Sequence, residues 1–352
     1  MKEIRFGERV IGDGHPAFVI AEAGVNHNGD IELGRALIAE AQKAGADAIK
    51  FQTYKAGKLA TRTAPRYWFE PDDPHGSQFD SFAQLDRFGE EEHRELFRYA
   101  QEVGILCFST PFDEDAVDML DELGVPGYKI ASADLTDFPL LEKVATKAKP
   151  VILSTGVANV GEVSEAVDLL RGLGADQIGL MQCTLQYPCE FENANLRMML
   201  HLKSVFPDIP IGLSDHTLGI AIPQAAIALG ATMIEKHYTI DKKLPGSPDH
   251  HMSVDPKDLK EMMDSIRAIE KAMGSYEKRV VEAEKPAHSF ARRSVVSSIE
   301  IPRGTHITRD MLTFKRPGTG IYPKLVNVVI GRVAQRDIPE DTVITWEMIC
   351  SH

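Results

Sequence analysis

Short apolar runs alternate with segments of helical periodicity along most of the chain. The run Phe18-Val19-Ile20-Ala21-Glu22-Ala23-Gly24 reads as a buried strand, and apolar residues at helical spacing follow over 31–44 and stop at Gly45. The same pairing recurs. Strands are expected over 47–53, 105–111, 127–132, 151–156, 178–184, 209–214 and 233–237. Helices are expected over 91–103, 113–123, 137–148, 160–173, 195–206, 219–229 and 256–273. Eight strands and eight helices in strict alternation imply a parallel sheet closed into a (β/α)8 TIM barrel. An open doubly wound sheet is the structural alternative. Residues 1–16 read as a lead-in with turn signals, and 56–90 as a long insertion rich in Pro, Asp, Arg and aromatic residues.

The texture changes after Gly274. Residues 276–292 are charged and aperiodic, which suggests a linker between a barrel domain over 1–275 and a small β-rich module over 293–352. The module contains an internal duplication. Ile301-Pro302-Arg303-Gly304-Thr305-His306-Ile307-Thr308 and Ile338-Pro339-Glu340-Asp341-Thr342-Val343-Ile344-Thr345 share the pattern Ile-Pro-x-x-Thr-x-Ile-Thr. A module of about 60 residues is marginal alone and gains from docking.

Composition narrows the possible functions. With 43% hydrophobic and 26% charged residues, the chain is of ordinary globular type. A net charge of -13 argues against nucleic acid or an anionic membrane as partner, because both need a basic footprint. Cys107, Cys183, Cys189 and Cys350 form no CxxC pattern, which fits a reducing, cytoplasmic setting. No signal peptide or membrane-spanning run is evident.

In a barrel of this kind the chemistry sits at the C-terminal strand ends, so their polar residues form the candidate site. They are Glu22; Lys50 and Gln52; Ser109 and Thr110; Lys129 and Ser132; Ser154 and Thr155; Thr184 and Tyr187; Ser214 and His216; Glu235 and His237. His216 and His237 end consecutive strands and suit a divalent metal with open positions. Lys50, Lys129, Ser132, Ser154 and Ser214 suit a phosphate or carboxylate, which makes the rim a basic pocket in an acidic protein. Glu22 suits acid–base work. Salt bridging of the lysines to Glu22 or Glu235 is the bland alternative. The loop 245–251 follows the eighth strand and is placed to cover the site.

Together, 20–29, 49–53, 129–132, 213–217 and 235–237 resemble the sialic acid synthase family, and the C-terminal module resembles that family's antifreeze-like (SAF) domain. The resemblance implies condensation of phosphoenolpyruvate with an N-acyl hexosamine and water, giving a nonulosonic acid and phosphate by C–O cleavage. N-acetylmannosamine is the default acceptor. A diacetamido-trideoxyhexose, giving legionaminic or pseudaminic acid, is the alternative. The resemblance implies Mn2+ on His216 and His237, with Mg2+ or Co2+ as substitutes. It puts phosphoenolpyruvate on Lys50, Lys129, Ser132, Ser154 and Ser214. It puts the sugar on Glu22, Gln52, Thr110, Tyr187 and Asp249. It also implies a domain-swapped homodimer in which the partner subunit's antifreeze-like domain contributes the arginine matched by Arg316. Leu185 stands where some members carry an asparagine, and Asp134 where some carry a glutamate. A Schiff-base aldolase using Lys129 or Lys236, or a free-standing ice- or sugar-binding module, are the remote alternatives.

Overall fold

The computed structural model describes residues 3–68 and 76–350. Residues 69–75 of the insertion lie outside the described residues. The chain divides into two compact units, Met1–Gly274 and Ser275–His352.

The lead-in is more than a lead-in. It forms an antiparallel hairpin of β1 (Ile4–Phe6) and β2 (Arg9–Ile11). Ile4, Phe6 and Ile11 are fully buried, and the Phe6 ring lies 4.8 Å from Phe108 and 5.6 Å from Phe18. Three-residue strands give too short an alternation to stand out in sequence. The hairpin plugs the N-terminal end of the barrel, opposite the chemistry.

The barrel alternates β3 (Phe18–Gly24), α1 (Ile31–Ala44) and β4 (Ala48–Thr53). The insertion then supplies α2 (Ala56–Leu59) and α3 (Gln78–Leu85). After it come α4 (Glu90–Val103), β5 (Leu106–Pro111), α5 (Glu114–Glu122), β6 (Tyr128–Ile130), α6 (Phe138–Ala145), β7 (Val151–Ser154) and α7 (Val160–Gly172). The series ends with β8 (Ile178–Cys183), α8 (Arg197–Val205), β9 (Ile211–Asp215), α9 (Ala221–Ala228), β10 (Met233–His237) and α10 (Pro256–Met273). Local chemistry sets the helix ends. Asp30 caps α1 by accepting from the Glu32 and Leu33 amides, and Gly45 ends it in the left-handed region at φ 88°. Every residue of β3 is buried, because helices cover one face of a parallel sheet and the barrel core fills the other.

The ladder order β5-β4-β3-β10-β9-β8-β7-β6 is that of a TIM barrel, with β5 and β6 adjacent where the ring meets. Register carries the site. His237 pairs with Glu22, Glu22 with Lys50, Gln52 with Thr110, Glu235 with Ser214, and Ser214 with Cys183. Gly212 permits the close approach of β9 to β10, since a Cβ there would sit 2.5 Å from the Met233 carbonyl oxygen.

In the second unit, residues 276–292 are not a bare linker, for they include α11 (Lys285–Phe290). The module proper holds β11 (Ser294–Ser297) against β12 (Leu312–Lys315), α12 (Val326–Val329), and β13 (Val333–Ala334) against β14 (Ile349–Cys350). The duplicated segments meet each other: the Ile301 and Ile338 amides and carbonyls exchange hydrogen bonds of 2.8 and 2.9 Å. Ile301, Ile307, Ile338 and Ile344 are the matched repeat positions and all lie in this unit's core. Among the described residues, no helix is long and apolar enough to cross a membrane.

Candidate active site

The strand ends open into a cavity of about 290 Å³. Glu22, Lys50, Gln52, Thr110, Lys129, Ser132, Ser154, Tyr187, Ser214, His216, His237 and Asp249 all line it. Every barrel residue picked out as catalytic, substrate-binding or metal-ligating therefore faces one space. Arg316 belongs to the second unit, exposed in the turn after β12.

The floor is a network of buried charges. Lys50 Nζ lies 2.7 Å from Glu22 Oε2 and 3.8 Å from Glu235 Oε2, and it donates to Thr110 Oγ1 at 2.9 Å. Lys129 Nζ donates to Ser154 Oγ at 2.6 Å and lies 3.7 Å from Glu235 Oε1. Ser214 Oγ donates to the same Glu235 oxygen at 3.0 Å. Glu235 is thus shared by two lysines and a serine. The sequence marks it only as one more polar strand end, because nothing local shows that β4 and β6 aim lysines at it. Gln52 donates to Glu22 Oε1 at 3.1 Å, and the Gly156 amide donates to Ser132 Oγ at 3.0 Å.

These contacts correct the expectation of a basic pocket. Glu22, Glu235, Asp134 and Asp249 line the cavity beside its two lysines. A lysine with a side chain only 3% exposed needs a counter-charge whatever the ligand, and the barrel provides one. Burial opposes ionisation of Glu235, but Lys129 and Lys50 hold its carboxyl below the usual range. Burial pushes the Glu22 carboxyl up to about 7 against the pull of Lys50. Burial lowers Lys129 against the pull of Glu235. Burial, aided by Asp137, raises Asp134 to about 7, and its Oδ2 has no hydrogen-bond partner among the described residues. The charged forms of Glu22 and Asp134 are therefore poised to change near neutrality.

The histidine pair stands at the β9 and β10 ends with ring centroids 5.3 Å apart. Tyr187 packs at 4.1 Å from His216 and 6.0 Å from His237. His216 Nδ1 lies 2.8 Å from the Thr184 carbonyl oxygen. A carbonyl only accepts, so Nδ1 carries a proton, and in the neutral ring Nε2 keeps its lone pair. Burial, then His216, keep His237 well below its ordinary value and hence neutral. Burial opposes charge on His216, but Cys183 raises it above its ordinary value. In its unprotonated form, beside the neutral His237, it fits a divalent cation. Among the described residues no cluster of three His, Cys, Asp or Glu side chains could hold a metal.

Other polar residues are structural. His27 stacks on Phe88 at 3.9 Å, and burial drops it to about 3. Ser109 bonds Thr53 at 2.7 Å. Lys236 is buried against Asp215 at 2.6 Å and does not line the cavity, which removes it as an aldolase nucleophile. His251 reaches the cavity and bonds the Pro248 carbonyl at 2.7 Å.

The second wall of the cavity comes from the insertion and is apolar. Tyr67, Trp68, Phe82 and Leu85 line it with Tyr54, Leu59 and Phe112. Phe82 packs edge-on to Tyr54 at 5.5 Å and lies 5.7 Å from Trp68. The aromatic content of 56–90 signals such a surface, but not that it folds over the strand ends. Leu185 also lines the cavity.

The NeuB family model matches residues 37–278, and the SAF domain model matches residues 292–349. The chain belongs to the NeuB family. It is 39% identical over 344 residues to the N,N'-diacetyllegionaminic acid synthase of Legionella pneumophila, covering 96% of each chain. It is 37% identical over 345 residues to the human N-acetylneuraminate-9-phosphate synthase, covering 98% of this chain and 96% of that one. Among solved structures, the sialic acid synthetase of Leptospira borgpetersenii in complex with citrate aligns with TM-score 0.72 and 37% identity. That alignment covers 81% of this chain and 94% of that one. The protein is thus an enzyme of this family, whose named members are synthases of nonulosonic acids.

Proposed function

We propose that the enzyme condenses phosphoenolpyruvate with the open-chain form of an N-acyl hexosamine and adds water, releasing phosphate and a nonulosonic acid. The observation that carries this reading is the joint placement of Lys50, Lys129, Ser154 and Ser214 around Glu235 and of two imidazoles in the same cavity. Phosphoenolpyruvate brings a carboxylate and a phosphate, and the two ammonium groups and the hydroxyls are its complement. Glu235 holds both lysines oriented until the anion arrives. Ser132 Oγ and the Gly156 amide form a further polar edge.

Divalent metal, Mn2+ by preference, would be held by His216 and His237 and would supply Lewis-acid polarisation of the sugar aldehyde. Glu22 is the proton-exchange group. Its carboxyl, raised to about 7, can deliver a proton to the oxygen that becomes the new hydroxyl as C3 of the enol attacks. Water then adds at C2, and phosphate leaves with the C–O bond. Gln52, Thr110, Tyr187 and Asp249 bind the sugar. Arg316, delivered by the partner subunit of a swapped dimer, adds the positive charge that the cavity lacks. Arg316→Ala is then expected to raise the KM for the acceptor far more than that for phosphoenolpyruvate; equal rises would remove Arg316 from the sugar site.

For the acceptor, the aromatic wall favours a diacetamido-trideoxyhexose over N-acetylmannosamine. A deoxy position with its methyl group and two acetamido methyls suits Phe82, Trp68 and Phe112 better than a hydroxyl-rich tail does. A phosphorylated acceptor finds no third Lys or Arg among the described lining residues. The test is product mass and phosphate release with phosphoenolpyruvate, Mn2+ and a panel of these acceptors, using bridging 18O to locate the broken bond. Absence of any keto-acid product would overturn the synthase reading. Label retained in phosphate would support C–O cleavage, and label lost from it would contradict it. Activity that survives EDTA together with borohydride trapping at Lys129 would favour the aldolase instead.

A further inference from the structure

The two histidines are not held alike, and the difference identifies a residue that acts through one of them. His216 Nδ1 is tied to the Thr184 carbonyl at 2.8 Å. His237 Nδ1 is buried and has no hydrogen-bond partner among the described residues. The nearest acidic oxygen is Asp249 Oδ2, at 3.5 Å, and the two side chains are only 8% and 18% exposed. Asp249 does not reach this position on a free loop. Asn28, in the left-handed region at φ 52°, donates to the Pro245 carbonyl at 2.9 Å. Its Oδ1 accepts from the Ser247 amide at 3.0 Å and faces His250 Nε2 at 3.3 Å.

The tautomer of His250 follows from these contacts. Asn28 Oδ1 only accepts, so His250 Nε2 donates, and its Nδ1 takes the Thr239 hydroxyl proton at 2.7 Å. Burial lowers His250 to about 4, which keeps that neutral form. Gly246 lies at φ 103°, and a Cβ there would stand 2.7 Å from Asn28 Oδ1, so the latch needs glycine. The carbonyl of Asp249 itself accepts from Ser253 Oγ at 2.7 Å, and Asn26 donates to the same Ser253 oxygen at 3.2 Å. The loop after the first barrel strand therefore fixes the loop after the eighth.

We infer that Asp249, carried on a loop latched by Asn28, is the carboxylate partner of His237 Nδ1–H and fixes the tautomer that presents Nε2 to a divalent cation. Asp249 is then a positioning residue for the metal as well as a sugar contact. Asn28 is a positioning residue one step further out. A backbone carbonyl orients one ligand and a loop side chain the other, so the placing of His237 depends on loop 245–251. This inference rests on the metal reading of the histidine pair given above.

The experiment is a Mn2+ titration of the full-length protein without substrates, so that sugar contacts do not enter. It compares wild type with Asp249→Asn, Asp249→Ala and Asn28→Ala, each checked for an unchanged melting curve. Asp249→Ala is expected to weaken Mn2+ binding about 10- to 100-fold, the usual cost of losing such a partner. Asp249→Asn should lose less, because its amide oxygen still accepts from Nδ1–H. Asn28→Ala should weaken binding without touching either histidine. In metal-free wild type labelled with 15N-histidine, the His237 resonance, assigned with His237→Gln, should report protonated Nδ1, and the Ala variant should report a mixture. Asp249→Ala binding Mn2+ within twofold of wild type, or a His237 protonated at Nε2 in wild type, overturns the inference and leaves the proposed reaction standing. A wild-type protein that binds no Mn2+ overturns the metal reading itself, and this inference with it. If Asp249→Ala does not fold, Asp249→Asn and the tautomer measurement decide.

Discussion

The cavity has two walls made in different ways. One is built from strand ends, where register fixes Glu22 beside Lys50 and His237, and Ser214 beside Glu235. The other is built from inserted chain, where Phe82, Trp68 and Leu85 sit on α3 and its approach. The strand wall is charged, buried and largely hydrogen-bonded. The inserted wall is aromatic and only half-buried. A charge network in a low-dielectric site has few tolerable arrangements, because each group is another's counter-charge. An apolar surface is tolerant, because dispersion and burial are non-directional. Under the proposed function, the strand wall carries the groups assigned to the reaction, and the inserted wall the apolar contacts assigned to the choice of sugar.

The sharpest way to break this division is to change the strand wall at the metal. His216→Ala or His237→Ala should abolish Mn2+ binding in a direct titration and lower turnover by about 10³-fold or more. Retained Mn2+ affinity in either variant would refute the assignment. Next comes Lys129→Met, which leaves Glu235 buried with less compensation. Turnover should fall by about 10²–10³-fold. Stability should drop by about 3 kcal/mol in denaturant unfolding, as when one partner of a buried pair is removed. A variant as stable as wild type would show that Lys50 and Ser214 alone satisfy Glu235.

Smaller effects are expected on the inserted wall. Phe82→Ala should raise the KM for a diacetamido-trideoxyhexose about 10-fold, the scale of a lost apolar contact, and leave the KM for phosphoenolpyruvate unchanged. Equal damage to both substrates would erase the distinction between the walls. The smallest effect concerns pH. The Asp134 carboxyl is raised from 3.8 to about 7, so the folded state holds its proton more tightly than the unfolded chain. Its contribution to stability is full below about pH 4 and is lost as pH rises through about 7. Asp134→Asn should flatten that decline, with the largest gain in Tm above pH 7. A Tm difference from wild type that stays constant across the range would show that Asp134 is not the group responsible.

Much of this was legible in the chain itself. The alternation of apolar runs and helical periods determined the barrel, since a period of 2 or 3.6 is a property of neighbouring residues. The C-terminal positions of Glu22, Lys50, Lys129, Ser214, His216 and His237 determined which side chains meet, because a closed parallel ring brings all its strand ends to one rim. The repeat of Ile301 and Ile338 marked the second module, although only the fold shows the two copies pairing with each other.

What the tertiary structure alone decided are the partners. Glu235 becomes the counter-ion of two lysines, each more than a hundred residues away along the chain, and Lys236, its neighbour, is turned away to Asp215. The hairpin at Ile4 and Phe6 becomes a plug, the insertion becomes a wall, and Asn28 reaches across 219 positions to Ser247. Local periodicity records which face a residue occupies. Which charge stands opposite it, and therefore how it ionises and what it can bind, is set only when the ring closes and water is excluded.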